Sequence, residues 1–434
     1  MKTIARLLAT LSAAAISPLY ARIRAPINPL RGSVWMLRLF AEAVTPFIAL
    51  SGAVAAGLAL LARSPVALLT AMLAAVAAVR DARRVTAPHP GFAQAFGEAW
   101  EQSIAPEQQT GMLRHRWIWH LPAAPEPLWQ RDVPFWTLPD AERRLLCDLW
   151  QPPSGVAPSG LAVVYLHGSA WSLLDKDFFT RPFFRHLAAQ GHVVMDVAYR
   201  LYPETDMLGM VGDAKRAIAW MKAQGPAYGV NPERIVVAGG SAGGHLALLA
   251  AYTPREDVLT PDGVGEADLS VRAAISCYGP TDLRAYYDHT RQNMWGHLGQ
   301  ATAAHPPGRL MRRVLGTSYE RLGLGKTGGA VGGAMEPLLG GTPETVPDRY
   351  ALFSPATHVQ PGSSPTLLIQ GKDDVIALVA ATNLLFERLQ AAGVPAVNIV
   401  LPHAEHGFDL VLPRFSPAAQ TAWYYQERFL ALMV

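Results

Sequence analysis

Arg234-Ile235-Val236-Val237-Ala238-Gly239-Gly240-Ser241-Ala242-Gly243-Gly244 is the stretch that decides the fold, followed by small and apolar residues to Ala251. Ile235 to Ala238 has the β-branched composition of a buried strand, and the run after the turn has the length and make-up of a helix. Between them, Gly239 to Gly243 matches Gly-x-Ser-x-Gly. A bare match is weak, because small residues are common; with a strand before it and a helix after it, the motif stands in the context its chemistry requires. The turn is so tight that the serine's neighbours must be small. It lifts the Ser241 hydroxyl clear of the sheet and sets it at a helix N-terminus.

Working outward, strands and helices alternate. Upstream, Leu161 to Leu166 and His192 to Val197 read as strands, with helices over Phe179 to Gln190 and Val211 to Ala223. Downstream, strands are expected at Arg272 to Cys277, Thr366 to Gln370 and Ala396 to Leu401, and helices at Leu378 to Ala391 and Pro417 to Leu432. Ahead of the series, Asp132 to Thr137 and Arg144 to Trp150 flank a turn at Pro139-Asp140 and read as a hairpin. Such alternation predicts a mostly parallel sheet with helices on both faces, whose ligands sit beyond the carboxyl ends of the strands. Residues 280 to about 345 are far longer than a connection needs, and a lid or substrate-binding cap is expected there.

A serine hydroxyl is a poor nucleophile until a base takes its proton, and the base needs a carboxylate to orient it. In sheets of this kind the order is serine, acid, histidine. Gly371-Lys372-Asp373-Asp374 follows the Thr366 strand and supplies two candidate acids, Asp373 and Asp374. Pro402-His403-Ala404-Glu405-His406-Gly407-Phe408 follows the Ala396 strand. His406, ahead of the glycine, is the preferred base, and His403 and Glu405 read as loop residues. The two histidines lack a third ligand at metal-binding spacing, so no metal is expected. An oxyanion needs donors. The amide of Ala242 is one, and the loop His167-Gly168-Ser169-Ala170-Trp171, directly after the Leu161 strand, supplies others.

These pieces, with Tyr199-Arg200-Leu201 and Ser354-Pro355, give the chain a resemblance to the carboxylesterases related to hormone-sensitive lipase and to neighbouring bacterial esterases, over about residues 131–434. The resemblance implies an α/β-hydrolase fold, a triad of Ser241, Asp374 and His406, and an oxyanion hole from the amides of Gly168, Ser169 and Ala242. The family's Gly-x-x-Asp spacing is what selects Asp374 over Asp373. It implies hydrolysis of carboxylic esters through an acyl-enzyme, with no cofactor. A peptidase or formamidase on the same fold, and an inactive binding protein, are the competing expectations. This chain departs from the family by placing Ser169 and Ala170 where the loop usually has glycine.

Half of the chain is hydrophobic and 16% is charged, with most of the apolar excess in the first ninety residues. A net charge of +3 is too small to argue for a nucleic-acid partner. Cys147 and Cys277 read as buried thiols. Ala43 to Ala62 is an uncharged run of 20 residues, and Ser64 to Val79 another of 16, against the roughly 20 residues that span a hydrocarbon core. A transmembrane helical hairpin is therefore expected within an anchor of residues 1–85, then a connecting region 86–130 and a catalytic domain 131–434. Lys2, Arg6, Arg22, Arg24, Arg31 and Arg38 precede the pair, Arg80, Arg83 and Arg84 follow it, and Arg63 alone lies between. Two spans put the catalytic domain in the cytoplasm, and one span exports it. Leu7 to Ile16 as a signal-peptide core, or both runs as buried helices of a soluble domain, are the alternatives. The expected partners are a membrane and a small, hydrophobic or lipid-like ester.

Overall fold

The computed structural model describes residues 1–20, 31–109, 111–138, 143–292 and 335–434. Eight strands form one sheet: β1 (Leu128–Thr137), β2 (Arg144–Gln151), β3 (Ala162–Leu166), β4 (Val193–Ala198), β5 (Ile235–Gly240), β6 (Ala273–Cys277), β7 (Thr366–Gly371) and β8 (Ala396–Leu401). Their spatial order is β1-β2-β4-β3-β5-β6-β7-β8. The expected hairpin β1–β2 lies at one edge, antiparallel within itself and to β4, and every pair from β4 through β8 is parallel.

The central strands are buried on both faces, so side chains alternate between two cores. Val164, Leu166, Val193, Met195, Ile235 and Val237 join one layer, under α6 (Met207–Gln224) and α7 (Ala242–Tyr252). Val163, Tyr165, Val194, Val236, Ala238 and Ile275 join the other, under α5 (Arg181–Ala188) and α10 (Pro417–Met433). Within the described residues α8 (Leu283–Gln292) and α9 (Val379–Ala391) complete the larger helices after β6. The lid expected over 280–345 falls largely on 293–334, outside the described residues. The segment expected as a connecting region does not stand apart: Phe92, Leu113 and Leu121 are buried in the second layer, because long apolar side chains beside an open helix face gain more by covering it than by facing water. Both cysteines are buried and free.

The N-terminal region folds as four helices, α1 (Lys2–Tyr20), α2 (Arg31–Ala43), α3 (Thr45–Leu61) and α4 (Pro65–Val85). α3 and α4 form the expected hairpin around Arg63, which takes a left-handed φ of 49°. Two features differ from the expectation. The helix of the uncharged run beginning at Ala43 starts only at Thr45, because α2, which ends at Ala43, meets α3 at a 71° bend; Pro46 sits in the first turn of α3, where its ring is tolerated and where it cannot continue an earlier ladder. And α1 is a third member of the bundle, antiparallel to α3: Ala5 and Ala9 meet Ala55, Ala59, Ala67 and Ala71, while Ile16 and Leu19 meet Ile48, Ala74 and Ala78. Lys2–Tyr20 and Pro65–Val85 are long and apolar enough to cross a membrane, and the bent α2–α3 pair makes a third if counted as one span.

The packing of this bundle is inside-out relative to a water-soluble one. Alanines fill its centre, whereas Leu61, Val66, Leu69, Leu73 and Val76 are each more than 60% exposed on its outside. At Gly52 an added Cβ would come within 3.0 Å of the Ala71 carbonyl and the Ala75 methyl, so the absence of a side chain is what lets α3 and α4 approach. Small residues at helix contacts and large apolar ones facing outward are the pattern of helices packed in lipid.

Candidate active site

Ser241 stands between β5 and α7 with φ 55° and ψ −125°, a conformation a non-glycine residue adopts only where its surroundings over-determine it. They do so here. A Cβ at Gly239 would lie 2.4 Å from Gly243 C and 2.5 Å from Leu166 O, and one at Gly243 would lie 1.9 Å from Leu166 O. The Ser241 amide donates to Cys277 O at 2.9 Å, and its carbonyl accepts from His245 N at 3.0 Å. β3, β5, β6 and α7 thus clamp the turn from all sides.

The hydroxyl that results is 2.8 Å from His406 Nε2, and His406 Nδ1 is 2.9 Å from Asp374 Oδ2. Both partners come from loops beyond the carboxyl ends of β7 and β8. Asp374 is held tightly: its Oδ1 accepts from the amides of Ile376 and Ala377, each at 2.8 Å, and its Oδ2 also accepts from Gln370 Nε2 at 2.8 Å. A carboxylate fixed by these three donors holds the imidazole in one orientation, with Nδ1 donating and Nε2 free to accept from the serine. A hydroxyl, an imidazole and a carboxylate in such a row can pass a proton away from the oxygen as that oxygen attacks.

Asp373 is turned elsewhere, toward His403 Nδ1 at 3.3 Å, and His403 Nε2 lies 3.9 Å from Asp81 of α4. The hydrogen bond to Asp373 raises the His403 pKa above the ordinary imidazole range, and the same bond lowers that of Asp373. Glu405 is fully buried and bridges to Arg38 of α2 at 3.1 Å. His403 and Glu405, expected as loop residues, face the N-terminal helices rather than the serine.

The loop after β3 reaches the same point. A Cβ on Gly168 would meet Ser241 Cβ at 3.3 Å, so this backbone lies directly against the serine. Neither the Gly168 nor the Ser169 amide donates to a backbone carbonyl among the described residues. Ser169 Oγ bonds the Tyr199 hydroxyl at 2.7 Å and accepts from Trp171 N at 2.9 Å, and Tyr199 donates to His167 O at 2.7 Å. Ala170, one of the two positions where the related loops carry glycine, and Trp171 after it sit at φ 46° and 59°; Ala170 takes a glycine-like conformation without being glycine. His167 is buried, its pKa lowered to about 4 by desolvation, and its ring stacks on Tyr199. Arg200 turns away to pair with Asp213 at 2.8 Å.

Tyr278 and Gln370 escaped the sequence reading, and a third contributor, His245, reads from sequence only as helix packing. Tyr278, the residue after β6, places its ring 4.6 Å from that of His406. His245 accepts from Trp171 Nε1 at 3.2 Å and bonds Phe353 O at 2.7 Å, tying the β3 loop to α7. Gln370 was legible only as the last residue of the expected strand Thr366 to Gln370. A separate cavity of about 250 Å³, lined by Trp129, Trp150, Arg181, Arg185 and Arg414 among others, contains none of these groups.

An eight-stranded, mostly parallel sheet with a serine at the β5 turn, an acid after β7 and a histidine after β8 is the α/β-hydrolase fold. Solved structures agree: esterase B from Lactobacillus rhamnosis superposes with a TM-score of 0.53 at 20% identity, covering 72% of this chain and 88% of that one. Thermogutta terrifontis esterase 2 phosphonylated by cyclosarin gives 0.51 at 21%, covering 70% and 94%. The BD-FAE family model matches residues 147–311 and the prolyl oligopeptidase family model residues 334–427. Among curated proteins, the chain is 32% identical over 65% of its length to the probable carboxylic ester hydrolase LipM of Mycobacterium tuberculosis, and 27% identical over 74% to esterase LipQ of the same organism. It spans 57% of the length of the first and 69% of the second.

Proposed function

We propose that this chain is a serine carboxylesterase in which Ser241 attacks the ester carbonyl, His406 acts as general base and then acid, and Asp374 orients it. The observation that carries this is the continuous row from Ser241 Oγ through His406 to Asp374, at 2.8 and 2.9 Å. In the reaction, His406 Nε2 takes the serine proton as the C–O bond forms. The oxyanion is received by the amides of Gly168, Ser169 and Ala242. Collapse expels the alcohol, which takes the proton back from His406, and water repeats the sequence to release the acid. The similarity to proteins named as esterases supports ester over amide substrates. The prolyl oligopeptidase match at the C-terminal end keeps amide hydrolysis as the second reading, and comparing matched ester and amide substrates separates the two. Ser241→Ala should abolish both turnover of small aryl esters and labelling by a fluorophosphonate while leaving the thermal midpoint in place. Turnover that survives would remove Ser241 from the mechanism.

The anchor reading extends from the same residues. α1, α3 and α4 cross a bilayer together, with Lys2, Arg6 and Arg63 at the far tip and the hydrolase domain, residues 131–434, at the other end. This reading counts three crossings, one more than the hairpin expected from sequence. α3 has 17 residues, about 25 Å of helix at about 1.5 Å per residue, short of a hydrocarbon thickness of about 30 Å, and snorkelling of the tip arginines and local thinning accommodate the difference. Arg31, Arg38, Arg80, Arg83 and Arg84 lie at the hydrolase end, which by the charge rule faces the cytoplasm. A hydrolase seated on a membrane in this way meets hydrophobic or lipid-like esters as its nearest substrates.

A further inference from the structure

On the hydrolase side, the loop that carries His406 is held by the Asp373 amide, which donates to Ala404 O at 3.1 Å, and by the buried side chains of Ala404 and Phe408. Residues 402–408 run between β8 and the body of the domain with left-handed backbone at His403, φ 58°, and Gly407, φ 82°. Its outer side is covered by the N-terminal helices. Trp35 of α2 donates its indole N–H to the carbonyl oxygen of His406 itself at 3.2 Å. Arg38, one turn further along α2, donates from Nη1 to Glu405 Oε1 at 3.1 Å and from Nε to Pro18 O, in the last turn of α1, at 2.9 Å. One guanidinium therefore joins the end of a bundle helix to the residue preceding the histidine. The Glu405 carboxyl is fully buried, and among the described residues its Oε2 has no hydrogen-bond partner, so removing Arg38 from Oε1 would leave the group unmatched beside the site.

We propose that Trp35 and Arg38 are positioning residues for His406, so that turnover depends on the N-terminal helices as well as on the hydrolase sheet. This rests on the hydrolase reading above. Neither side chain reaches Ser241; both act through the backbone and the neighbour of the base. Because proton transfer needs the Nε2–Oγ distance kept within hydrogen-bond range, a loop released by a few tenths of an ångström lowers the rate of both chemical steps without altering substrate binding.

The test uses the full chain in detergent or lipid nanodiscs. Trp35→Phe keeps most of the ring and drops the N–H; Arg38→Met keeps the stem and drops the charge. Phe47→Leu is the control, since Phe47 of α3 packs its ring on Trp119 and Phe415, at 5.2 and 5.4 Å, and so seats the same helices on the domain elsewhere. Trp35→Phe and Arg38→Met should lower kcat by about 10- to 100-fold, the scale of a small misplacement of a catalytic group, with KM near wild type, and Trp35→Phe should also keep the wild-type thermal midpoint. Arg38→Lys should recover part of the loss, and Phe47→Leu should keep wild-type kcat. Wild-type kcat in both Trp35→Phe and Arg38→Met would overturn the inference, as would an equal loss in Phe47→Leu. A wild-type chain that neither turns over esters nor takes the fluorophosphonate would overturn the hydrolase reading, and the inference with it.

Discussion

Asp373 and Asp374 are adjacent, chemically identical and equally placed after β7, yet their surroundings separate them completely. Asp374 receives two amides, a glutamine and the His406 ring, and Asp373 receives His403. If the proposed roles hold, Asp374→Asn should lower kcat by roughly a thousandfold or more, because the amide cannot hold the imidazole in the needed tautomer. Asp373→Asn should leave turnover near wild type. Steady-state kinetics on one aryl ester distinguishes the two, and a comparable loss in Asp373→Asn would reverse the assignment. The choice between these neighbours came from a family spacing and not from the residues alone. Ala170 is the converse case: its departure from glycine was visible in the sequence, but whether the backbone there was left-handed was not.

At the level of elements, the strands announced themselves through β-branched runs buried on both faces, and their observed ends lie within two residues of expectation except at the start of β1, which begins at Leu128, four residues before the expected Asp132. The N-terminal helices were less legible. Apolar runs declare that a helix is there, but a helix whose alanines face inward and whose leucines face outward has the same composition as one packed the other way. The bend between α2 and α3, and the joining of α1 to the hairpin, follow from contacts between segments tens of residues apart. The proposed three crossings make a direct prediction. The native thiols, Cys147 and Cys277, are buried, so a single exposed cysteine from Arg63→Cys can be read without background. It should react with a membrane-impermeant maleimide added outside intact cells. Reaction only after permeabilisation would place the tip in the cytoplasm and reverse the orientation.

Across the whole molecule, the junction between bundle and hydrolase concentrates buried charge beside the site. Burial pushes the Glu405 carboxyl up to about 8, outweighing the Arg38 guanidinium that draws it down. The folded state therefore holds a proton that the unfolded chain releases near its ordinary value of 4.5. Stability contributed by this group is greatest at low pH, declines as pH rises between those two values, and stays reduced above the upper one. Glu405→Gln should flatten that decline and raise the thermal midpoint above about pH 8 relative to wild type. An unchanged pH profile would show that the carboxyl is not held protonated. From sequence alone came the sheet, the serine turn and the order serine, acid, histidine, since each is written in local composition: β-branched runs, glycines where a Cβ has no room, charged and polar residues at strand ends. Only the tertiary structure could decide which acid meets the histidine, that His403 and Glu405 face away from the serine, and that helices near residue 35 reach a loop near residue 405. Those outcomes are set by which surfaces pack together across the chain, and a contact between residues separated by several hundred positions leaves no periodicity in either segment.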